Sequence, residues 1–468
     1  MPFQVPGIAT VRPPIHTGAA ADPHLPSSTP PTRTPEHRSM GVLFSMRHRG
    51  AGGAAARARS IVARFGVTPT PMEERLRRFD ALTAEFGVRP SWAVTACVLD
   101  RNRRAMLHFA ERGVEFAIHG LVHDDHSRRS LEEQRASIAR AAELFRAAGV
   151  PYRGFRGPFL RGNSATEQVV RDLGLLYHST QPVVFDTAPP LEPRAEAAFR
   201  RTLRHLYAGA VDAHAMAVRP SLRGGVIHIP VALLDDEIMV ERLRLSPEQQ
   251  SAVWLATLDA TWERGELFTV QLHPERTDEC AAALAAVLAE ARARRPAVWI
   301  ATLERIAEWW RRRARTRLEV MPLENGRYRV RMEGDPAATL LVRGLPGVDA
   351  QPWHGADRVA RAAEFEAAAG RKPVVGVSAR TPSSVLAFLA EEGFPAERGE
   401  DPARFGAWVD VRGDVNEKHV LNVVEASTGP LVRLGRWPAG ARSALSVTGD
   451  IDCMTLQDFA LRLWETRR

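Results

Sequence analysis

The chain has 468 residues, 45% of them hydrophobic, enough to bury one large core and to hold two or three domains. Its formal charge of +8 comes almost wholly from arginines, with Lys372 and Lys418 the only lysines; they alternate with glutamates as in Glu73-Glu74-Arg75, and no aromatic-interleaved basic module excepts them from reading as solvated faces, so nucleic acid is not an expected partner. No stretch approaches the roughly 18 uninterrupted apolar residues of a membrane span, and Met1 to Pro6 lack the pattern of an export signal, so a cytoplasmic protein with no membrane partner is expected.

Residues 1–40 are rich in Pro, Thr, Ser and His and carry too little apolar content to fold, which predicts a disordered leader. Structure is expected from Gly41-Val42-Leu43-Phe44-Ser45-Met46. Met72, Leu76, Phe79, Leu82 and Phe86 then recur at helical spacing before Gly87. Trp92 to Val98 is an apolar run suited to a buried strand; a helix follows over Arg104 to Arg112, then a strand from Val114 that ends at His119. Ser130-Leu131-Glu132-Glu133 is a capping box, opening a helix with Ile138, Ala142 and Phe145 on one face. After Gly149 come the strand Tyr152 to Arg156, a helix starting near Asn163, and the strand Leu175-Leu176-Tyr177. Strands at Val226 to Pro230, Phe268 to Leu272 and Val298 to Ile300 continue the series, closed by a helix over Leu303 to Arg313.

Strand and helix alternating this often mean parallel strands with crossovers, hence a wound sheet or a (β/α) barrel. His119, Arg156, His178 and His273 all stand at the C-terminal ends of their strands, the face on which a barrel builds its sites. Beyond Arg313, Leu318-Glu319-Val320 and Tyr328 to Met332 alternate around Glu324-Asn325-Gly326, a hairpin signature. From Val374 a small α/β pattern appears: strand Val374 to Val377, helix Ser383 to Glu392, strand Ala407 to Val411, helix Glu417 to Glu425, strand Leu431 to Leu434. It holds no phosphate loop, since Gly393 and Gly399 lack the spacing. The last stretch, Ser443 to Cys453, is an apolar strand that delivers Asp450 and Asp452 and enters a helix over Leu456 to Trp464. Read locally, the two are also a turn aspartate and a helix cap. Cys97, Cys280 and Cys453 are an odd set without paired spacing, which argues against a disulfide framework or a cysteine zinc site.

His119-Gly120-Leu121-Val122-His123 presents two imidazoles at a strand end. Zinc takes two or three such ligands with a carboxylate and keeps one position for water, so the pair calls for an Asp or Glu from elsewhere. Without one, the same stretch, with Asp124, Asp125 and His126, reads as a solvated loop.

From about residue 41 to 313 the chain resembles the polysaccharide deacetylases of the NodB homology type, also called carbohydrate esterase family 4. His119-x-x-x-His123 resembles the family's metal-binding motif, with Gly120 where Ser or Thr is usual. Arg156-Gly157-Pro158-Phe159 resembles the motif that walls the groove, with Phe159 for the commoner Tyr. Leu272-His273 resembles the late motif carrying the general acid, and Leu303 to Trp310 the closing helix. The family's first motif, a strand ending in two aspartates, is missing where Ser45-Met46-Arg47-His48-Arg49 stands, while Thr448-Gly449-Asp450-Ile451-Asp452 supplies one of the right kind far downstream.

The resemblance implies a distorted (β/α) barrel of NodB type, and the displaced motif implies that it is circularly permuted, since closure depends only on neighbours meeting in space. The expected organisation is a leader at 1–40, the barrel at 41–315, an inserted β hairpin module at 316–370, a small α/β unit at 371–440, and a strand and helix at 441–468 that return to complete the barrel. It also implies zinc, or another divalent metal, on His119, His123 and Asp452, with Asp450 as base, His273 as acid and Arg156 orienting the base. Pro158, Phe159 and His178, the last where relatives often have Asp, would contact substrate, and Trp92 would line the groove or the core. His228, inside an apolar strand, reads as a core histidine. The implied reaction is hydrolysis of a non-peptide C–N bond in an N-acetylated sugar or related small amide. Two alternatives stay open: the tail is a vestige, leaving an inactive barrel that binds a carbohydrate or metabolite, or the barrel works without the tail, through Asp124, Asp125 or metal-free chemistry.

Overall fold

A computed structural model describes residues 9–10, 61–62, 64–413 and 415–465. The strand expected at Gly41 to Met46 and the Ser45 to Arg49 stretch lie outside the described residues, as does the leader apart from Ala9–Thr10, which pairs antiparallel with Glu319 and Val320. No described helix is long and apolar enough to cross a membrane.

The centre is an α/β fold with a curled, half-barrel sheet of nine strands. Its parallel members are β1 (Ser91–Val94), β2 (Glu115–Ile118), β3 (Gly154–Phe155), β4 (Tyr177–His178), β5 (Val226–His228), β6 (Leu267–Leu272), β7 (Val298–Ile300) and β8 (Ser443–Ile451). The order is β6-β8-β1-β2-β3-β4-β5, ending in the antiparallel Ser221–Arg223, with β7 beside β8. Among the described residues no strand ladder joins β6 to Ser221–Arg223, so the sheet remains open.

Alternation along each strand sets the two faces. Trp92, Val94, Phe116, Ile118, Phe155, Phe268, Val270, Leu445 and Val447 point outward into the main core, shared with Met72, Leu76 and Phe79 of one helix and Ile138 and Phe145 of another. The inward positions, Ala93, Ala117, Thr269, Ala444, Ser446 and Thr448, are small or polar. They leave room inside the curl for longer polar groups near the strand ends. At the opposite end, Glu115 accepts hydrogen bonds from Ser91 Oγ and Tyr177 Oη, each at 2.5 Å, and from the Glu304 amide at 3.0 Å. This buried acid plugs the floor; burial raises its pKa.

Local signals hold well. Ser130 and Glu133 form the predicted capping box of helix Leu131–Ala148, which Gly149 ends at φ 71°. The helices over Leu303–Arg313, Ser383–Glu392 and Glu417–Glu425 have the expected bounds. In the hairpin, Asn325 and Gly326 take φ 58° and 68°, as a tight turn between twisted strands requires. Two expectations change. The strand read over Trp92 to Val98 stops at Val94, and Ala96–Arg101 is helical. Leu431–Leu434 does not join the parallel sheet of Lys372–Ser378, Ala396–Gly399 and Phe405–Val409; it pairs antiparallel with Leu340–Arg343. The stretches expected as separate units therefore share a sheet, because an apolar run does not specify which edge it joins.

Candidate active site and metal centre

The C-terminal strand lies in the middle of the sheet. β8 pairs in parallel with β6, Gln271 opposite Thr448, and along its other edge with β1, Ala93 opposite Asp450. This register carries Asp450 and Asp452 to the strand ends where β2 delivers His119. Asp452 Oδ1 is 3.5 Å from His119 Nε2, and Asp452 Oδ2 is 3.3 Å from His123 Nε2. One ligand atom from each of the three residues lies within 4.8 Å of the others, and all three residues are buried.

Hydrogen bonds fix the donor set. His119 Nδ1 donates to the Arg156 carbonyl oxygen at 2.9 Å, so its Nε2 carries the lone pair that faces the aspartates. Asp452 Oδ1 is buried without a hydrogen-bond partner among the described residues. Although burial opposes it, His123, Arg462 and His119 together hold Asp452 well below the usual carboxylate range. Burial, reinforced by the Arg462 guanidinium, pushes His123 well below the usual imidazole range. Two imidazole nitrogens and an orphaned carboxylate oxygen fit a divalent metal such as zinc. Arg462, on helix Leu456–Glu465, competes with that fit: it donates to Asp452 Oδ2 at 2.7 Å and to His123 Nδ1 at 2.9 Å. The second bond places the neutral ring's proton on Nε2, so His123 ligates through Nε2 only when Arg462 withdraws from Nδ1.

Asp450 is held on both oxygens. Arg156 Nη1 donates to Oδ1 at 3.0 Å, and Gln271 Nε2 donates to Oδ2 at 2.9 Å. Arg156 is itself fully buried and fixed by Thr448 Oγ1 at 3.0 Å and Ser179 Oγ at 3.1 Å. At the end of β6, His273 Nδ1 donates to Asp236 Oδ1 at 2.8 Å, and Arg276 Nη1 binds Asp236 Oδ2 at 2.8 Å. Burial works against the His273 charge, but Asp236 overcomes it and raises the imidazole well above its ordinary value. Asp236 is brought down to about 2, its burial outweighed by His273 and Arg276.

Sequence reading did not single out Asp236, Gln271, Ser179 or Arg462. Asp236 had a usable signal, a carboxylate pair just beyond the apolar Val231-Ala232-Leu233-Leu234. The other three show none, because a strand Gln, a Ser and a helical Arg look alike whether they face a site or solvent.

Phe159 stands beside the metal-type cluster, its ring centroid 4.3 Å from that of His123. Pro158 is buried close to Gly120, whose φ of 79° and whose missing Cβ, which would come within 2.8 Å of the Val122 carbonyl oxygen, explain why Ser or Thr is absent there. His178 is the correction. Tyr177 and Ser179 take the inward positions, and His178 points to the opposite face, packed between Phe155 and His228. It therefore stands apart from the groove. Trp92 is likewise core, ringed by Phe79, Phe109 and Phe116. Asp124 is engaged by Arg129 and His126, and Asp125 by Ser127 and Arg161, so neither joins His119 and His123.

The family model described as polysaccharide deacetylase matches residues 56–178, a segment that includes His119, His123 and Arg156 and stops before His273, Asp450 and Asp452. No curated protein matches the chain. Among solved structures, a Mycobacterium smegmatis protein described as a polysaccharide deacetylase is 21% identical, covering 57% of this chain and 82% of its own, with a TM-score of 0.40. A Pseudomonas aeruginosa PAO1 protein described likewise is 18% identical, covering 52% and 73%, with a TM-score of 0.40. PuuE allantoinase is 15% identical, covering 50% and 72%, with a TM-score of 0.39.

Proposed function

We propose that this protein is a metal-dependent hydrolase of a non-peptide amide bond, removing the acetyl group from an N-acetylated sugar or a related small amide. The polysaccharide deacetylase match over residues 56–178 supports an enzyme of this type. The observation that carries the reading is the meeting of Asp452 with His119 and His123, beside an Asp450 fixed on both oxygens.

Hydrolysing an amide needs an activated water, charge stabilisation at the carbonyl oxygen and a proton for the leaving nitrogen. His119, His123 and Asp452 would hold the metal, which when bound supplies a more acidic water and a Lewis-acid pull on the carbonyl. Asp450 takes the proton from the attacking water; the Arg156 and Gln271 bonds hold its carboxylate in one orientation. His273, kept cationic by Asp236, gives its proton from Nε2 to the departing amine. Phe159 offers an apolar ring beside His123 on which a sugar face stacks.

In this reading β8 is the strand with which the family's barrel ordinarily begins, so the described residues form a permuted barrel from the segments 64–315 and 441–465, with 316–370 and 371–440 inserted between them. The test is zinc content and hydrolysis of N-acetylated sugar oligomers by purified protein. Asp452→Ala and His123→Ala lose the metal of this centre and hydrolysis together, and Asp450→Asn loses hydrolysis while keeping that metal. Wild-type hydrolysis in Asp452→Ala overturns the proposal.

A further inference from the structure

The sheet carries a second group of ligand-type side chains on the face turned away from this site. His178 of β4 and His228 of β5 are register partners on neighbouring parallel strands. Strand alternation sends both to the helix-covered side, where the equivalent positions of other strands are Phe155, Phe116 and Trp92. Their ring centroids are 5.3 Å apart. Above them lies helix Ser164–Asp172, from which Glu167 Oε1 comes within 4.0 Å of His228 Nδ1. Ligand atoms of Glu167, His178 and His228 all lie within 4.8 Å of one another.

Packing alone leaves a polar atom unexplained. His178 is 6% exposed, and its Nε2 is buried with no hydrogen-bond partner among the described residues. A buried nitrogen left without a partner is destabilising, so a ligand that takes its lone pair would relieve it. We propose that Glu167, His178 and His228 form a second divalent-cation site of zinc type, which clamps helix Ser164–Asp172 onto β4 and β5.

Two nitrogens and one carboxylate oxygen make a borderline-soft donor set suited to zinc. Burial, with a neighbouring imidazole and Arg223, pushes His178 and His228 below the ordinary imidazole range. The atoms must draw together by about 1 Å to meet zinc–nitrogen bonds of about 2.0–2.1 Å. Glu167, with a side chain 36% exposed, can make most of that movement by rotation, and the open rim admits water as a fourth ligand. Arg223 adds positive charge at this rim, but it is solvent-exposed and screened.

The inference does not depend on the hydrolase reading, and one experiment separates them. Full-length protein is stripped with chelator, dialysed against zinc(II), and its bound zinc counted. The expected count is about two per chain for the wild type, and about one for each of Asp452→Asn, His228→Gln and Glu167→Gln. Glu167 lies on a helix surface, so its variant reports on the site even where His228→Gln fails to fold. Zinc should also raise the melting temperature of Asp452→Asn, and not that of Asp452→Asn/Glu167→Gln. A wild-type count of one that Asp452→Asn abolishes overturns this site and leaves the catalytic centre standing. A count of one that only Glu167→Gln and His228→Gln abolish does the reverse.

Discussion

The two histidine clusters sit on the same sheet and differ by one residue of strand parity. His119 and Ser179 face inward, where Arg156, Asp450, Gln271 and Asp236 are joined by hydrogen bonds and ion pairs across the strands. His178 and His228 face outward, where the neighbours are Phe155 and helix side chains. The consequence is electrostatic. The inner face keeps charges because each has a counter-charge or a donor, so Asp452 stays anionic and His273 cationic. The outer face offers little such compensation, and its imidazoles stay neutral. The face a histidine occupies on this sheet therefore decides whether charged and polar groups or apolar side chains surround it.

The sharpest break of the inner network is Asp450→Asn, which should slow hydrolysis by about 10²–10⁴-fold in steady-state assays while zinc content is unchanged. Arg156→Met should act on the fold: an unpaired buried Asp450 costs about 3–5 kcal/mol, read as a lower urea midpoint. Asp236→Asn tests the charge on His273. Because the folded pKa of His273 is raised, its stabilising contribution is full below about pH 6.5 and disappears as pH rises through the higher folded value. The variant should lose that contribution, and the alkaline limb of its pH–rate profile should move down in pH. Arg462→Ala should tighten zinc binding by up to about tenfold, the scale of one partly screened charge beside the ligands; weaker binding would show that Arg462 supports the centre. The smallest effect belongs to the outer face: His178→Phe should leave kcat/KM within about twofold, and a larger loss would mean that the two faces are coupled.

Where structure is local, the sequence was enough. The capping box at Ser130, the Asn325-Gly326 turn and the helix bounds from Leu303 to Arg313 follow from hydrogen bonds and dihedral preferences within a few residues. The alternation of strands and helices likewise announced parallel pairing, and the motifs around His119, Arg156 and His273 marked strand ends. What only the tertiary structure decided is who meets whom. A strand carries no label for its neighbours, so nothing local places β8 between β6 and β1, or Leu431–Leu434 against Leu340–Arg343. The same holds for facing: His178 reads like a groove residue until the register of β4 shows that Ser179, one position on, holds the inner face. Asp236, Gln271 and Arg462 complete the site through contacts across the chain, which exist only once the sheet has curled.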